Sequence, residues 1–313
     1  VSISVTVLAG GVGGARLAHG FALAQPDDAP TCVVNVGDDT VRHGLHVSPD
    51  LDTVMYTLAG LDDEDRGWGL TGESYAVLDQ LARLGEDTWF TLGDRDLATH
   101  VVRTARLREG VPLSAVTASL ATSLGVDARL LPVTDDPVRT LVGTPSGTLA
   151  FQEYFVRRQH ADAVLGLTFD GIEAARPAPG VLDAVTGADL LVVAPSNPFL
   201  SVEPVLAVPG VREAVRATAA RRVAVSPIVG GRAVKGPAAQ ILETLGHDVS
   251  ALGVARLYAD LADVMVIDDA DAALAAPIAE LGFDVVVTDT IMGGPAGRER
   301  LAGELLGLVR TPA

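Results

Sequence analysis

Residues 31–52, TCVVNVGDDTVRHGLHVSPDLD, join an apolar run to four carboxylates. Thr31 to Val36 has the composition of a buried strand, so Asp38, Asp39, Asp50 and Asp52 follow a strand end. Open α/β sheets bind ligands in the crevice outside such ends. Crowded carboxylates repel one another unless water, a cation or protonation relieves them, which suggests a divalent-metal or basic-ligand site. The simpler alternative is that Gly37-Asp38-Asp39 is a turn and Asp50 a helix cap. Just upstream, Ile3 to Ala9 is β-rich and ends in Gly10, Gly11, Gly13 and Gly14, after which Ala15, Leu17 and Ala18 begin a helical pattern. Strand, glycine turn and helix make a phosphate cradle, because glycine lets backbone N–H groups approach an anion at the helix N-terminus. The run lacks the GxGxxG spacing of a dinucleotide fingerprint and the terminal lysine of a P-loop, so it implies neither NAD nor a Walker-type ATPase.

Downstream, Leu51, Val54, Met55 and Leu58 recur at i, i+3, i+4 and i+7, which predicts an amphipathic helix starting near Asp50. There the carboxylate is favoured by the helix dipole and can cap the helix, bind a metal, or do both. Leu61 to Gly72 reads as a loop and Glu73 to Leu84 as a helix. Asp94 is a natural N-cap for a further helix, with Arg95 in its first turn. On that helix Asp96, His100 and Arg103 share one face, readable as a solvated ion-pair ladder, while Leu97, Val101 and Ala105 share another. Leu113 to Leu124 continues the helical pattern.

From Arg129 the strand runs return as ARLLPV, TLAFQEYFV, AVLGLTFD, DLLVVAPS, RRVAVSPI, DVMVID and DVVVTD, several alternating with helices. That alternation predicts a doubly wound α/β fold with a largely parallel, Rossmann-like sheet. Residues 1–313 are expected to form a single α/β domain, with a core of 1–45 and 129–313 and residues 46–128 inserted as a helical cap. Two more strand ends offer small residues and free amides to a phosphate: Ser196 and Asn197 after Ala194, and Ser226, Gly230 and Gly231 after Val225. Lys235, the only lysine in the chain, follows in the same glycine-rich loop.

A net charge of −17 and a pI near 4.6 argue against general affinity for nucleic acid or anionic membranes. The single cysteine, Cys32, rules out disulfides within the chain and fits a reducing compartment. With no signal-like N-terminus and no apolar run of spanning length, the expected location is cytoplasmic.

LAGGVGGAR at 8–16, NVGDD at 35–39, SPDLDTVMYTLAG at 48–60, LGDRDLATHVVR at 92–103, FQEYFVR at 151–157, APSNP at 194–198 and SPIVGG at 226–231 span nearly the whole chain. Together they resemble the 2-phospho-L-lactate transferase family of coenzyme F-420 biosynthesis, including its actinobacterial phosphoenolpyruvate transferase branch. Ser48 stands where relatives are expected to carry cysteine. The resemblance implies transfer of a phosphoenolpyruvyl or 2-phospho-L-lactyl group from a guanosine diphosphate ester to the ribityl hydroxyl of the deazaflavin Fo, with release of GMP. It also implies a homodimer. On that reading Asp38 and Asp50 hold Mg2+, with Asp39 or Asp52 as alternative ligand or base. Arg95 meets deazaflavin or substrate, and Asn35 and Asp94 belong to the substrate site. The arginine-rich, GC-biased composition leans to the enolpyruvyl donor. Retained GDRD and PDLD segments weigh against a non-catalytic nucleotide-sugar-binding regulator resembling the gluconeogenesis factor family, and the glycine spacing weighs against an NAD(P)-dependent oxidoreductase.

Overall fold

The computed structural model describes residues 2–310. The first apolar runs become β1 (Val5–Ala9) and β2 (Thr31–Val34), with helix α1 (Gly11–Ala24) between them. After β2 the chain forms a small antiparallel hairpin, β3 (Thr40–Arg42) and β4 (Leu45–Val47). Four helices follow: α2 (Pro49–Leu58), α3 (Ala76–Arg83), α4 (Asp94–Arg108) and α5 (Leu113–Ser123). The remaining strands are β5 (Arg129–Pro132), β6 (Arg139–Thr144), β7 (Gly147–Ala150), β8 (Gly166–Asp170), β9 (Leu190–Val193), β10 (Arg221–Val225), β11 (Ile228–Val229), β12 (Arg232–Ala233), β13 (Val264–Ile267) and β14 (Asp284–Val287).

Seven of these form one parallel sheet in the order β14-β13-β10-β9-β1-β2-β5, flanked by helices. Strands β1, β9 and β13 are buried along their whole length, which accounts for their apolar content. From β1 the chain builds outward through β2 and β5, and later elements build the other way through β9. The order therefore reverses between β1 and β9, and ligands in such sheets bind at that switch point. The turns that leave these two strands touch. A Cβ on Gly13 would lie 2.1 Å from the Pro195 carbonyl oxygen, so only glycine permits this approach.

The structure corrects three expectations about the second half. AVLGLTFD does not join the parallel sheet: β8 pairs antiparallel with β6, which pairs antiparallel with β7 in a separate three-stranded sheet. Strand β6 was not expected, although TPSGT supplies the tight turn that forces an antiparallel hairpin with β7. TLAFQEYFV is a strand only as far as Ala150, and its second half winds into a π-helix at Glu153–Arg157.

No strand from residues 46–128 joins the central sheet among the described residues; β4, which enters the block at 46 and 47, pairs only with β3, and the four helices of the block do different things. Leu51, Val54, Met55 and Tyr56 of α2 lie in the main core with α1, whereas α3 buries none of its residues. Asp94 is not the cap of its own helix. Its carboxylate accepts from the Ala76 and Val77 amides at the start of α3, while Glu73 accepts from the Arg95 and Asp96 amides at the start of α4. Each acid thus caps the other's helix.

Candidate active site

Asn35, the first residue after the β2 run, organises the acids around it. Its Oδ1 accepts from the Gly37 amide at 2.7 Å, which closes the turn that aims Asp38. Its Nδ2 lies 2.9 Å from Asp50 Oδ2 and 3.4 Å from Asp38 Oδ1, so two carboxylates share one amide donor. Asp38 Oδ2 also accepts from the Asp50 backbone amide at 3.1 Å, in the first turn of α2. On the other side, Gln152 Nε2 donates to the Asp38 carbonyl at 2.9 Å. Among the described residues no cationic side chain forms an ion pair with Asp38 or Asp50.

Electrostatics follow from that geometry. Burial, then the charges of Asp50 and Asp39, push the Asp38 carboxyl well above the usual carboxylate range. Burial raises Asp50 to about 6, against the hydrogen bonds it receives from Asn35 and the Gly11 amide. Both acids hold their charge at a cost, which a cation between them would remove. Magnesium needs only one or two protein carboxylates, with water and phosphate oxygens completing its shell, so the pair fits such an ion. Asp39 sits behind them. Its Oδ2 meets His46 Nε2 at 2.8 Å and the Ser48 hydroxyl at 2.9 Å, so serine at position 48 supplies a hydrogen bond to the acid cluster.

The face of α4 read as a solvated ladder is instead buried. Asp96, His100 and Arg103 are 7%, 1% and 0% exposed, while Val101 on the other face is 52% exposed. Arg103 forks onto both oxygens of Asp52 and lies 3.3 Å from His100 Nδ1. His100 Nε2 is 3.2 Å from Asp96 Oδ1, and that oxygen accepts a hydrogen bond from the Tyr56 hydroxyl at 2.7 Å. Burial works against the charge on Asp96, but His100, Tyr56 and Arg103 together hold its pKa below the usual range. Asp52, Asp96 and His100 do offer ligand atoms within 4.8 Å of one another. The guanidinium already supplies their positive charge, however, so a metal there would have to displace Arg103.

These elements surround one cleft of about 650 Å³ at the switch point, within the size range of small-molecule sites. It is lined by Gly10, Gly11 and Gly13, by Asp38, Asp50 and Asp52, and by Ser196, Asn197, Ser226 and Lys235. Ser196 Oγ donates to the Gly10 carbonyl at 2.7 Å and ties the two turns together. Asn197 Oδ1 caps the Phe199 and Leu200 amides, while its Nδ2 is buried without a hydrogen-bond partner among the described residues. Other expected residues stand back from the cleft. Gly14 packs on Ala9, and Asn35 and Asp39 support from behind. The Gly230 amide donates to Asp271 Oδ2, and Gly231 is exposed on the β11–β12 turn. Asp94 caps α3, and exposed Arg95 donates to the Thr71 carbonyl at 2.8 Å.

Several cleft residues were not singled out from sequence. Phe90, Phe151, Phe155 and Leu92 give it an apolar wall beside Gln152, with the Phe151 and Phe155 rings stacked at 5.4 Å. Arg16, Arg66 and Trp68 border it near Lys235. Cys32 is fully buried in β2, and burial pushes its thiol up to about 12, so it is chemically inert.

A seven-stranded parallel sheet flanked by helices, with paired acids and glycine-rich turns at its switch point, places the protein in the Rossmann-like α/β class. The chain belongs to the family described as 2-phospho-L-lactate transferase CofD, whose model matches residues 5–292. It is therefore a transferase of the phosphoenolpyruvate and 2-phospho-L-lactate type. It is 46% identical over 274 residues to a phosphoenolpyruvate transferase of Streptomyces griseus, covering 86% of each chain. A phosphoenolpyruvate transferase of Thermobifida fusca is 42% identical, with 97% of each chain covered. A 2-phospho-L-lactate transferase of Methanococcoides burtonii is 37% identical, covering 91% of this chain and 93% of its own. Among solved structures, a member of the UPF0052 family from Bacillus halodurans superposes with a TM-score of 0.64 at 15% identity, covering 97% of this chain and 99% of that one. That likeness concerns the fold. Because the family match is to transferases, the regulator and oxidoreductase readings are set aside. No helix of the described residues is long and apolar enough to cross a membrane.

Proposed function

We propose that this chain acts in coenzyme F-420 biosynthesis, transferring a phosphoenolpyruvyl group from a guanosine diphosphate ester to the ribityl hydroxyl of the deazaflavin Fo. The observation that carries the reading is the pair Asp38 and Asp50, without a cationic partner among the described residues, set against the Gly10–Gly13 turn in one cleft. The attacking oxygen bonds to the phosphorus that bears the three-carbon acid. The bond from that phosphorus to the bridging oxygen breaks, its electron pair leaves with GMP, and the hydroxyl proton passes to water. Mg2+ held by Asp38 and Asp50 would neutralise charge on the phosphate oxygens.

The rest of the work falls to the chain itself. Amides of the glycine turn and the Asn197 Nδ2 group donate to phosphate oxygens, and Asn35 holds the two acids at one point. The aromatic wall of Phe90, Phe151 and Phe155 suits a planar deazaflavin ring and keeps water from the acceptor. The enolpyruvyl donor is favoured because the relatives named for it are 41–46% identical, against 37% for those named for the lactyl group. Incubating the protein with each donor, Fo and Mg2+, then weighing the product, tests the assignment. GMP formation with the lactyl donor alone would reverse the choice, and no transfer from either would remove it. The family resemblance also leads us to propose a homodimer, to be checked by light scattering at micromolar concentration.

A further inference from the structure

The chain carries 23 basic residues against 40 acidic ones, yet three cations, Arg16, Arg66 and Lys235, border the same cleft. Arg16 lies on α1 one turn beyond Val12, and its Nη2 is 3.4 Å from the Glu64 carbonyl oxygen. Lys235 Nζ is 3.3 Å from the Arg66 carbonyl oxygen and lies across Gly67, where a Cβ would meet the ammonium at 2.1 Å. That same Cβ position is 3.2 Å from the Val12 side chain. The loops at 61–72 and 230–237 therefore meet over the first turns of α1. Burial lowers the Lys235 pKa first and the charge of Arg16 second, against the more distant charges of Asp62 and Asp63, so the two heads act on one another.

Arg66 has Asp63 at 3.3 Å, whereas neither Arg16 nor Lys235 has a carboxylate within ion-pair distance among the described residues. Two like charges gathered beside a phosphate-type turn, in a protein of net charge −17, stay together at a Coulombic cost that Asp62 and Asp63 offset only from beyond ion-pair distance and that a bound anion would relieve. Their position identifies which anion. Asp50 lies against Gly10 and Gly11, while Lys235 approaches Val12 through Gly67 and Arg16 follows one turn later. A diphosphate laid over this turn would place one phosphorus by the acidic pair and the next by the two cations.

Resting on the transfer reading, we propose that Arg16 and Lys235 clamp the phosphate of the departing nucleoside monophosphate. They do so while the Asp38 and Asp50 side holds the phosphorus under attack. The bond that breaks leaves its electron pair on the clamped phosphate, so the cations act where negative charge develops. Trp68, 43% exposed on the same border with the Arg66 guanidinium 5.7 Å from its ring, gives the nucleobase a flat apolar face.

Calorimetric titration with GMP and with guanosine tests the clamp, using the wild-type protein, Lys235→Gln, Arg16→Gln and the double variant. Thermal melts confirm that each is folded. The wild type should bind GMP at least about tenfold more tightly than guanosine, and the double variant should lose most of that preference. Guanosine and Fo affinities should hold. In turnover, each variant should lose kcat by on the order of a hundredfold. A wild type that binds the two ligands equally, or a double variant that keeps the preference, would overturn the clamp. Wild-type transfer to Fo that the variants match sinks the clamp and spares the transfer reading. A GMP preference that the variants lose, in a wild type that transfers nothing to Fo, sinks the transfer reading and spares the clamp.

Discussion

Asp50 and Asp52 belong to the same helix, two residues apart, and therefore point about 200° away from each other around its axis. Asp52 turns to α4 and is met by the full fork of Arg103. Asp50 turns to the glycine turn, where it meets an amide of Asn35 and the carboxylate of Asp38 within reach of the same amide. Both acids line the cleft, yet only one has its counter-charge built into the fold. A carboxylate paired inside the chain holds elements together; one left to a shared amide keeps a place for a ligand cation. Chemically identical residues are sorted into structure and site by what the opposite element brings.

The largest effect is expected on the paired side. Arg103→Met leaves Asp52 buried without its partner, and removing one member of a buried ion pair costs about 3–5 kcal/mol. Urea denaturation should show that loss, with the midpoint moved and the slope unchanged. A loss below about 1 kcal/mol would mean that His100 or water takes over the charge, and the contrast between the two acids would weaken.

On the unpaired side the effect should appear in chemistry. Asp38→Asn and Asp50→Asn each remove a carboxyl whose pKa burial has raised, so neither should destabilise the fold. Turnover should fall by roughly two to three orders of magnitude, the scale of losing one principal electrostatic stabiliser. Normal turnover in both variants would make the pair a turn and a cap.

The periodicity of the chain reveals where strands and helices lie more readily than which helix face is wet. On α4 the apolar residues Leu97, Val101 and Ala105 suggested the inner face, but the inner face is Asp96, His100 and Arg103. A pattern of polarity cannot show that Asp52 and Tyr56, 51 and 40 residues upstream of their partners, satisfy those groups. Asp94 misled for a related reason, since the amides that it caps belong to α3. The glycine turn, Asp38, Asp50, Ser196 and Asn197 were legible because each leaves a strand end or opens a helix. Arg16 and Trp68 were not, because ordinary helix and loop positions become a cleft border only when residues 61–72 fold over α1.

A metal titration sharpens the comparison at smaller scale. The folded pKa of Asp50 is about 6 against an ordinary value of 3.8, and Asp38 is raised as well. Without metal, the stability that Asp50 contributes by taking up a proton is complete below about pH 4 and is lost as pH rises through about 6, and Asp38 acts in the same direction. A divalent cation needs the ionised pair, so its stabilising effect should run the opposite way. At a hundredfold excess over Kd the gain is about 2.7 kcal/mol where both acids are ionised. Melting curves with and without Mg2+ should differ at pH 8 and converge at pH 5. Equal increments at both pH values would place the ion away from Asp38 and Asp50.

The smallest effect is expected at Arg95, which the family resemblance placed on the substrate. Its guanidinium rests on the Thr71 carbonyl at the end of the 61–72 loop, it is exposed, and it does not border the cleft. Arg95→Lys keeps the charge and loses the planar fork. Since one exposed hydrogen bond to a backbone carbonyl is at stake, stability should change by less than about 0.5 kcal/mol. Fo affinity should change by no more than about twofold, the equivalent of roughly 0.4 kcal/mol. Fluorescence titration of Fo against both proteins reads this directly. A tenfold loss with an unchanged melting temperature would show that the start of α4 shifts when substrate binds, bringing Arg95 into the cleft. The helix would then present a cation to the unpaired side as well as to the paired one.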